Sequence, residues 1–230
     1  MIAHRGASGY LPENTLAAYA LALEQRADMI EIDLHQSRDA AVVIAHDEQL
    51  EALGGRGAIA DAALADLLRL DAGQGQRLPQ LDEILDRFGS RIPFNLELKV
   101  SRRGEYGGLE ERALAAVRAR GLLADTLFSS FSERVLGRLR SLEPSSRLAL
   151  LISPEDPSRP FERATALAAE AVNPWHGLVD RAFVEGARSA GLRVLPYTVD
   201  APERQRALLE LGVDGLFTNF PDRLRALLPA

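Results

Sequence analysis

Short apolar runs alternate with amphipathic stretches along the whole chain, the pattern of repeating strand–helix units around a parallel sheet. The pattern predicts strands at about 2–4, 29–34, 93–98, 126–130, 147–152, 170–173, 193–198 and 214–218. Helices are predicted over about 14–26, 80–88, 109–120, 132–141, 161–169, 181–190, 202–211 and 221–228. Eight such pairs in a 230-residue chain suit a closed (β/α)8 barrel better than an open doubly wound sheet, which uses about five or six strands and a glycine-rich phosphate turn. Neither GxGxxG nor GxxxxGK[ST] occurs. Pro12, Pro202 and Pro221 stand near helix openings, and Gly121, Gly191 and Gly212 stand where helices must stop.

A ninth strand-like run, Ala41 to Ala45, is separated from Leu34 by only six residues, too few for a parallel crossover. It must return antiparallel, as a hairpin that carries His46 back toward the end of the second strand. Residues from about 47 to 78, with five glycines around a short helix at 61–70, then read as an insertion in the second strand–helix loop of one domain spanning 1–230.

The same alternation locates candidate chemistry. Residues two apart on a strand share a face, so Glu31 and Asp33 point one way while Ile30, Ile32 and Leu34 point the other. Asn95, Glu97 and Lys99 share a face in the third strand. Facing outward, these groups would be ordinary solvated charges, but parallel strands have both faces covered. Facing inward, three carboxylates converge near the C-terminal mouth and raise one another's pKa unless a cation sits among them. Oxygen-only ligation suits Mg²⁺ or Ca²⁺.

His4 and Arg5 end the first strand, where an imidazole can move protons beside a fixed guanidinium clamp for phosphate. His46 ends the hairpin, beside Asp47. Two histidines near one carboxylate cluster supply the base and the acid that phosphodiester hydrolysis needs. His35 is expected to be structural or to support the site, and Trp175, next to His176, either lines the pocket or belongs to the core.

Composition narrows the partners. With 47% hydrophobic and 26% charged residues the chain can bury a sizeable core. A net charge of -6 and a pI near 5.3 give no basic footprint for nucleic acid or anionic lipid, so the expected partner is a small molecule held by a few local cations. No stretch reads as a leader or a membrane span, and cytoplasm is the expected compartment. The lack of cysteine excludes thiolate nucleophiles and Cys-ligated zinc. Of 27 basic residues only Lys99 is lysine, which points to a need for a compact ammonium there, expected to neutralise phosphate charge.

These motifs together resemble the glycerophosphodiester phosphodiesterases. The matching pieces run from end to end: His4-Arg5-Gly6-Ala7, Pro12-Glu13-Asn14-Thr15, Glu31-Ile32-Asp33, Val42 to Asp47, Asn95-Leu96-Glu97-Leu98-Lys99, Ser129-Ser130-Phe131 and Gly212-Val213-Asp214-Gly215. The resemblance implies a TIM barrel with a small insertion after the second strand. It implies that Glu31, Asp33 and Glu97 bind a divalent cation with Glu13 and Lys99 assisting, that His4 and His46 are the acid/base pair, and that Arg5 binds phosphate. The implied reaction converts a glycerophosphodiester and water into an alcohol and sn-glycerol 3-phosphate, by direct water attack or through a cyclic phosphate. Tyr197 stands where the family often has Trp, and Asn219 where it often has Asp; both are expected to border the pocket on its alcohol side. The Arg-Thr-Thr run frequent after His-Asp is missing, so the insertion is expected to meet substrate differently. Two rival readings are a lysophospholipase D-type enzyme, which would call for an apolar rim, and a silent barrel that binds phosphorylated ligands, which would lack a histidine or a carboxylate.

Overall fold

The computed structural model describes residues 1–228. Among them the strands are β1 (Ile2–Ala3), β2 (Met29–Gln36), β3 (Val42–Ile44), β4 (Phe94–Leu98), β5 (Thr126–Ser130), β6 (Arg147–Ile152), β7 (Ala171–Pro174), β8 (Arg193–Val194) and β9 (Phe217–Thr218). The helices are α1 (Leu16–Glu24), α2 (Leu64–Leu67), α3 (Leu81–Phe88), α4 (Leu109–Ala119), α5 (Glu133–Leu142), α6 (Pro160–Ala166), α7 (Arg181–Ser189), α8 (Pro202–Leu211) and α9 (Pro221–Arg225). The parallel strands run in the order β8-β7-β6-β5-β4-β2-β1-β9. Backbone bonds from Asp214 N–H to Val194 O (3.0 Å), Phe217 N–H to Pro196 O (3.0 Å) and Val199 N–H to Phe217 O (2.8 Å) join the two ends, so the sheet curls into a TIM-type barrel.

Strand phase divides the barrel into layers. Ile30, Ile32, Leu34, Phe94, Leu96, Leu98, Phe128, Leu148, Leu150 and Val172 belong to the large core between sheet and helices. Their neighbours in sequence point into the barrel. Ile2, Leu127, Ala149, Ala171, Leu195 and Phe217, with Met29 and Tyr197 against them, form the apolar filling. Two residues further along the strands come Glu31, Asn95, Ser129 and Asn173, all buried, and then Asp33 and Glu97. A polar layer therefore rests on an apolar plug at the C-terminal mouth.

Several elements are shorter than the hydrophobic pattern predicts. β8 ends at Val194 because Pro196 has no N–H to give, although Leu195 and Tyr197 continue to donate to Val172 and Pro174 (both 3.0 Å). β9 begins only at Phe217. α1 starts at Leu16, with Thr15 Oγ1 capping Ala18 N–H at 3.2 Å, because Asn14 takes a left-handed conformation (φ 57).

β3 pairs antiparallel with β2, Leu34 opposite Ile44 and His35 opposite Val43. The segment between β3 and α3 contains two 3₁₀ turns and the single-turn α2 in place of the longer helix expected at 61–70. It has its own small core of Val43, Ala45, Leu50, Ile59, Leu67 and Leu78. No helix among the described residues is long and apolar enough to cross a membrane.

Candidate active site

Two left-handed residues build the floor of the site. Arg5 (φ 57) follows β1, and Gly6 (φ 84) turns the chain so tightly that a Cβ there would meet the Ala18 backbone carbon at 2.7 Å. The turn directs Arg5 N–H at Glu31 Oε2 (2.9 Å), and Asn14 N–H locks it by donating to Arg5 O (3.0 Å). Asn14 Nδ2 donates to Asp33 Oδ2 (2.7 Å), and Asn14 Oδ1 accepts from the buried Tyr19 hydroxyl (2.8 Å). Asparagine tolerates φ > 0 better than other residues with a Cβ, and here that tolerance positions a carboxylate.

Glu31, Asp33 and Glu97 are buried and bring carboxylate oxygens within 4.8 Å of one another. Lys99 Nζ lies 2.8 Å from Asp33 Oδ1 and 2.6 Å from Glu97 Oε1. Arg5 reaches Asp33 Oδ2 through Nε (3.2 Å) and Glu13 Oε2 through Nη1 (2.8 Å). The lone lysine thus faces carboxylates at close range. Burial raises the Asp33 pKa, but Lys99 and Arg5 more than offset it and hold the group well below the usual carboxylate range. Glu31 is pushed far up by burial and by repulsion from Asp33 and Glu97, and Glu97 is raised by burial against the pull of Lys99. Two cations leave three carboxylates under-compensated, and buried Glu31 Oε1 has no hydrogen-bond partner. An oxygen-only cluster with such an orphaned atom could hold a divalent cation.

His4 is oriented by residues from the far end of the chain. Asp200 Oδ1 accepts from Asn219 N–H (2.8 Å) and Asp200 Oδ2 from Asn219 Nδ2 (2.7 Å). The amide oxygen is therefore turned to His4 Nδ1, 2.8 Å away. That partner assigns the proton to Nδ1 and leaves Nε2 with a lone pair. Burial, with Arg5 adding to it, lowers the His4 pKa to about 3, so the ring is neutral at pH 7. Asn219 thus acts on His4.

His46, at the end of the hairpin, is half-buried and donates through Nδ1 to Asp47 Oδ1 (2.9 Å). Burial, then the charge of Lys99, lowers its pKa. Its carbonyl accepts from His35 Nε2–H (3.1 Å), while His35 Nδ1 accepts from the Tyr106 hydroxyl (2.6 Å). His35 therefore supports the site.

One cavity is lined by His4, Arg5, Glu31, His46, Glu97 and Lys99, joined by Asn95, Phe131 and Tyr197. Glu13 lines the neighbouring cavity under the insertion, on the other side of His46. Trp175 lines neither: it is 38% exposed, and its ring lies against His176 and over Gly177. Sequence reasoning gave no role to Asn14, Asn95, Phe131 or Asp200. The motifs around Asn14, Asn95 and Phe131 were visible, whereas nothing in the sequence links Asp200 to His4.

The model of the glycerophosphoryl diester phosphodiesterase family matches residues 4–223. A glycerophosphodiester phosphodiesterase of Bacillus subtilis (strain 168) is 33% identical over 96% of this chain and 83% of its own length. Another, from Caldanaerobacter subterraneus subsp. tengcongensis, is 32% identical over 97% of this chain and 95% of its own. Among solved structures, an Oleispira antarctica phosphodiesterase in complex with the product sn-glycerol-3-phosphate superposes with a TM-score of 0.86 at 32% identity, covering 98% of this chain and 94% of that one. The glycerophosphodiester phosphodiesterase of Agrobacterium tumefaciens str. C58 gives 0.84 at 30% identity, covering 98% of both chains. The chain belongs to the glycerophosphoryl diester phosphodiesterase family.

Proposed function

We propose that this chain hydrolyses glycerophosphodiesters to an alcohol and sn-glycerol 3-phosphate, with His4 as general base and His46 as general acid. The observation that carries the division of roles is the fixed tautomer of His4. A base must be neutral and must present a lone pair, and Asn219 on Nδ1 together with the depressed pKa supplies both at Nε2. Nε2 takes the proton of the attacking hydroxyl, either water or the substrate's own glycerol hydroxyl.

An acid must hold a proton when the leaving oxygen departs. His46 is the more exposed of the two imidazoles and has a carboxylate at Nδ1. Burial and then Lys99 lower its pKa while Asp47 opposes them, and a bound phosphodiester anion adds to that opposition, which favours the protonated ring the acid role needs. Arg5 and Lys99, held by the carboxylates at fixed positions, present positive charge to the phosphoryl oxygens without reorganising. Glu31, Asp33 and Glu97 would hold Mg²⁺ or Ca²⁺, as the orphaned Glu31 oxygen and the oxygen-only donor set suggest. Such an ion supplies Lewis-acid stabilisation of the charge that develops on phosphorus-bound oxygens.

Leaving-group dependence tests the assignment. A p-nitrophenyl ester of glycerol 3-phosphate expels a stable phenolate and needs little protonation, whereas glycerophosphocholine must expel an alkoxide. His46→Ala should lose about 10²–10⁴-fold in kcat on the choline ester and far less on the p-nitrophenyl ester, while His4→Ala loses heavily on both. Equal losses on both esters in His46→Ala would remove the general-acid role.

A further inference from the structure

The loop 99–108, between β4 and α4, begins with Lys99 and is otherwise unused by the hydrolytic chemistry, yet it is tied to the hairpin and the insertion that carry His46. It turns back on itself through paired backbone bonds between Ser101 and Gly104 (both 2.9 Å). Arg102 N–H donates to Glu48 Oε2 (2.8 Å), Arg103 Nη1 and Nη2 reach Asp61 Oδ1 and Oδ2 (2.6 and 3.0 Å), and Gln36 Nε2 donates to Gly107 O (3.2 Å). The Arg103–Asp61 pair is exposed and holds weakly. Tyr106 is different, because it is buried: its hydroxyl donates to His35 Nδ1 (2.6 Å), and its ring stands edge-on to the imidazole at 85°.

His35 passes that hold on. A carbonyl only accepts, so the bond to His46 O (3.1 Å) assigns the His35 proton to Nε2, and Nδ1 accepts from the phenol. Burial and then the charge of Glu48 raise the Tyr106 pKa, so the phenol keeps the proton it donates. The bond to His46 matters because little else holds that peptide. Ala45 N–H still reaches Asp33 O (3.3 Å), and Glu48 O accepts from Ile59 N–H (2.9 Å), but among the described residues neither His46 nor Asp47 makes a backbone–backbone hydrogen bond. The direction of the half-buried His46 ring therefore depends on the grip of His35 on the His46 carbonyl.

We propose that Tyr106 is a positioning residue for the proton donor: through His35 its hydroxyl fixes the peptide of His46, so that the loop that starts at Lys99 also aims the imidazole at the leaving oxygen. The proposal rests on the general-acid reading above and adds to it a residue that is not among those lining the catalytic cavity. It is tested by the leaving-group dependence of Tyr106→Phe, which removes the hydroxyl and keeps the ring packed against His35.

On glycerophosphocholine the kcat of Tyr106→Phe should fall about tenfold with little change in KM, since a small misplacement of the acid is costly. On the p-nitrophenyl ester of glycerol 3-phosphate, whose leaving group needs little protonation, turnover should stay within about twofold of the wild type, which also reports that the site is assembled. In a His46→Ala background the same substitution should cost nothing further on either ester, because no ring remains to be aimed. Equal losses on both esters, or a full loss added to that of His46→Ala, would overturn the proposal and leave Tyr106 to packing alone. Wild-type turnover of the choline ester by Tyr106→Phe would overturn it as well. A His46→Ala enzyme impaired equally on both esters would instead bring down the general-acid reading and this proposal with it.

Discussion

Asn219 offers the sharpest test of how His4 is tuned. Replacing it by Asp puts a carboxylate on Nδ1, which stabilises the imidazolium and raises the His4 pKa by about 1–3 units from its depressed value. In kcat/KM against pH, the acid limb of Asn219→Asp should move upward by a comparable amount; a limb that stays put would mean that the Asn219 contact does not set the base. Lys99 tests shape against charge. Its ammonium fits between Asp33 and Glu97 at 2.8 and 2.6 Å, and a planar guanidinium cannot take that position without displacing them. Lys99→Arg should therefore lose roughly tenfold or more in kcat, and unchanged turnover would make the lone lysine incidental. His35 bears on stability. Burial lowers its folded pKa to about 4 against 6.5 when unfolded. Between those values the unfolded chain binds the extra proton, so the stability from the neutral ring is fully present above pH 6.5 and is lost as pH falls toward 4. The slope reaches about 1.4 kcal/mol per pH unit, and denaturant titrations at pH 7 and pH 5 should show it diminished in His35→Gln. The three carboxylates and Lys99 were legible in the sequence because strand alternation is a local rule. The partnerships of Asn14 with Asp33 and of Asn219 with His4 span 19 and 215 residues, so no local pattern could announce them.

At the level of elements, the hairpin formed by β2 and β3 and the insertion after it carry His46. The insertion packs around Leu67 and Ile59, both fully buried in a core separate from the main one. Leu67→Ala should cost about 2–5 kcal/mol locally and loosen the hairpin's outer side. The expected signature is faster amide exchange from about 42 to 78 and a fall in kcat, with exchange in β4 to β7 unaltered; uniform loss of protection across the barrel would contradict the separation of the two cores. The hairpin itself was readable from spacing alone, since six residues cannot make a parallel crossover. The ends of β1, β8 and β9 were less readable. Pro196 and Gly215 interrupt the regular ladder there, while single hydrogen bonds such as Phe217 N–H to Pro196 O still close the barrel.

For the molecule as a whole, the barrel does one thing for the chemistry: it stacks a polar layer of carboxylates on an apolar plug and delivers His4 from β1 and His46 from the hairpin to the same cavity. The acidic surface charge of -6 matters little at the mouth, where Arg5 and Lys99 face the cavity. Period-two alternation made the layers predictable. The rim was not, because which of Phe131, Trp175 and Tyr197 turns inward depends on loop conformations after β5, β7 and β8. The central claim is that two histidines and a cation held by Glu31, Asp33 and Glu97 act together. It is tested most directly by the release of sn-glycerol 3-phosphate from glycerophosphocholine by the wild type, His4→Ala and His46→Ala, each with chelator and after adding back Mg²⁺ or Ca²⁺. Turnover should vanish on chelation, return with the ion in the wild type, and stay at least about 10²-fold lower in both variants; release that survives chelation, or that either histidine variant sustains at the wild-type rate, would contradict it.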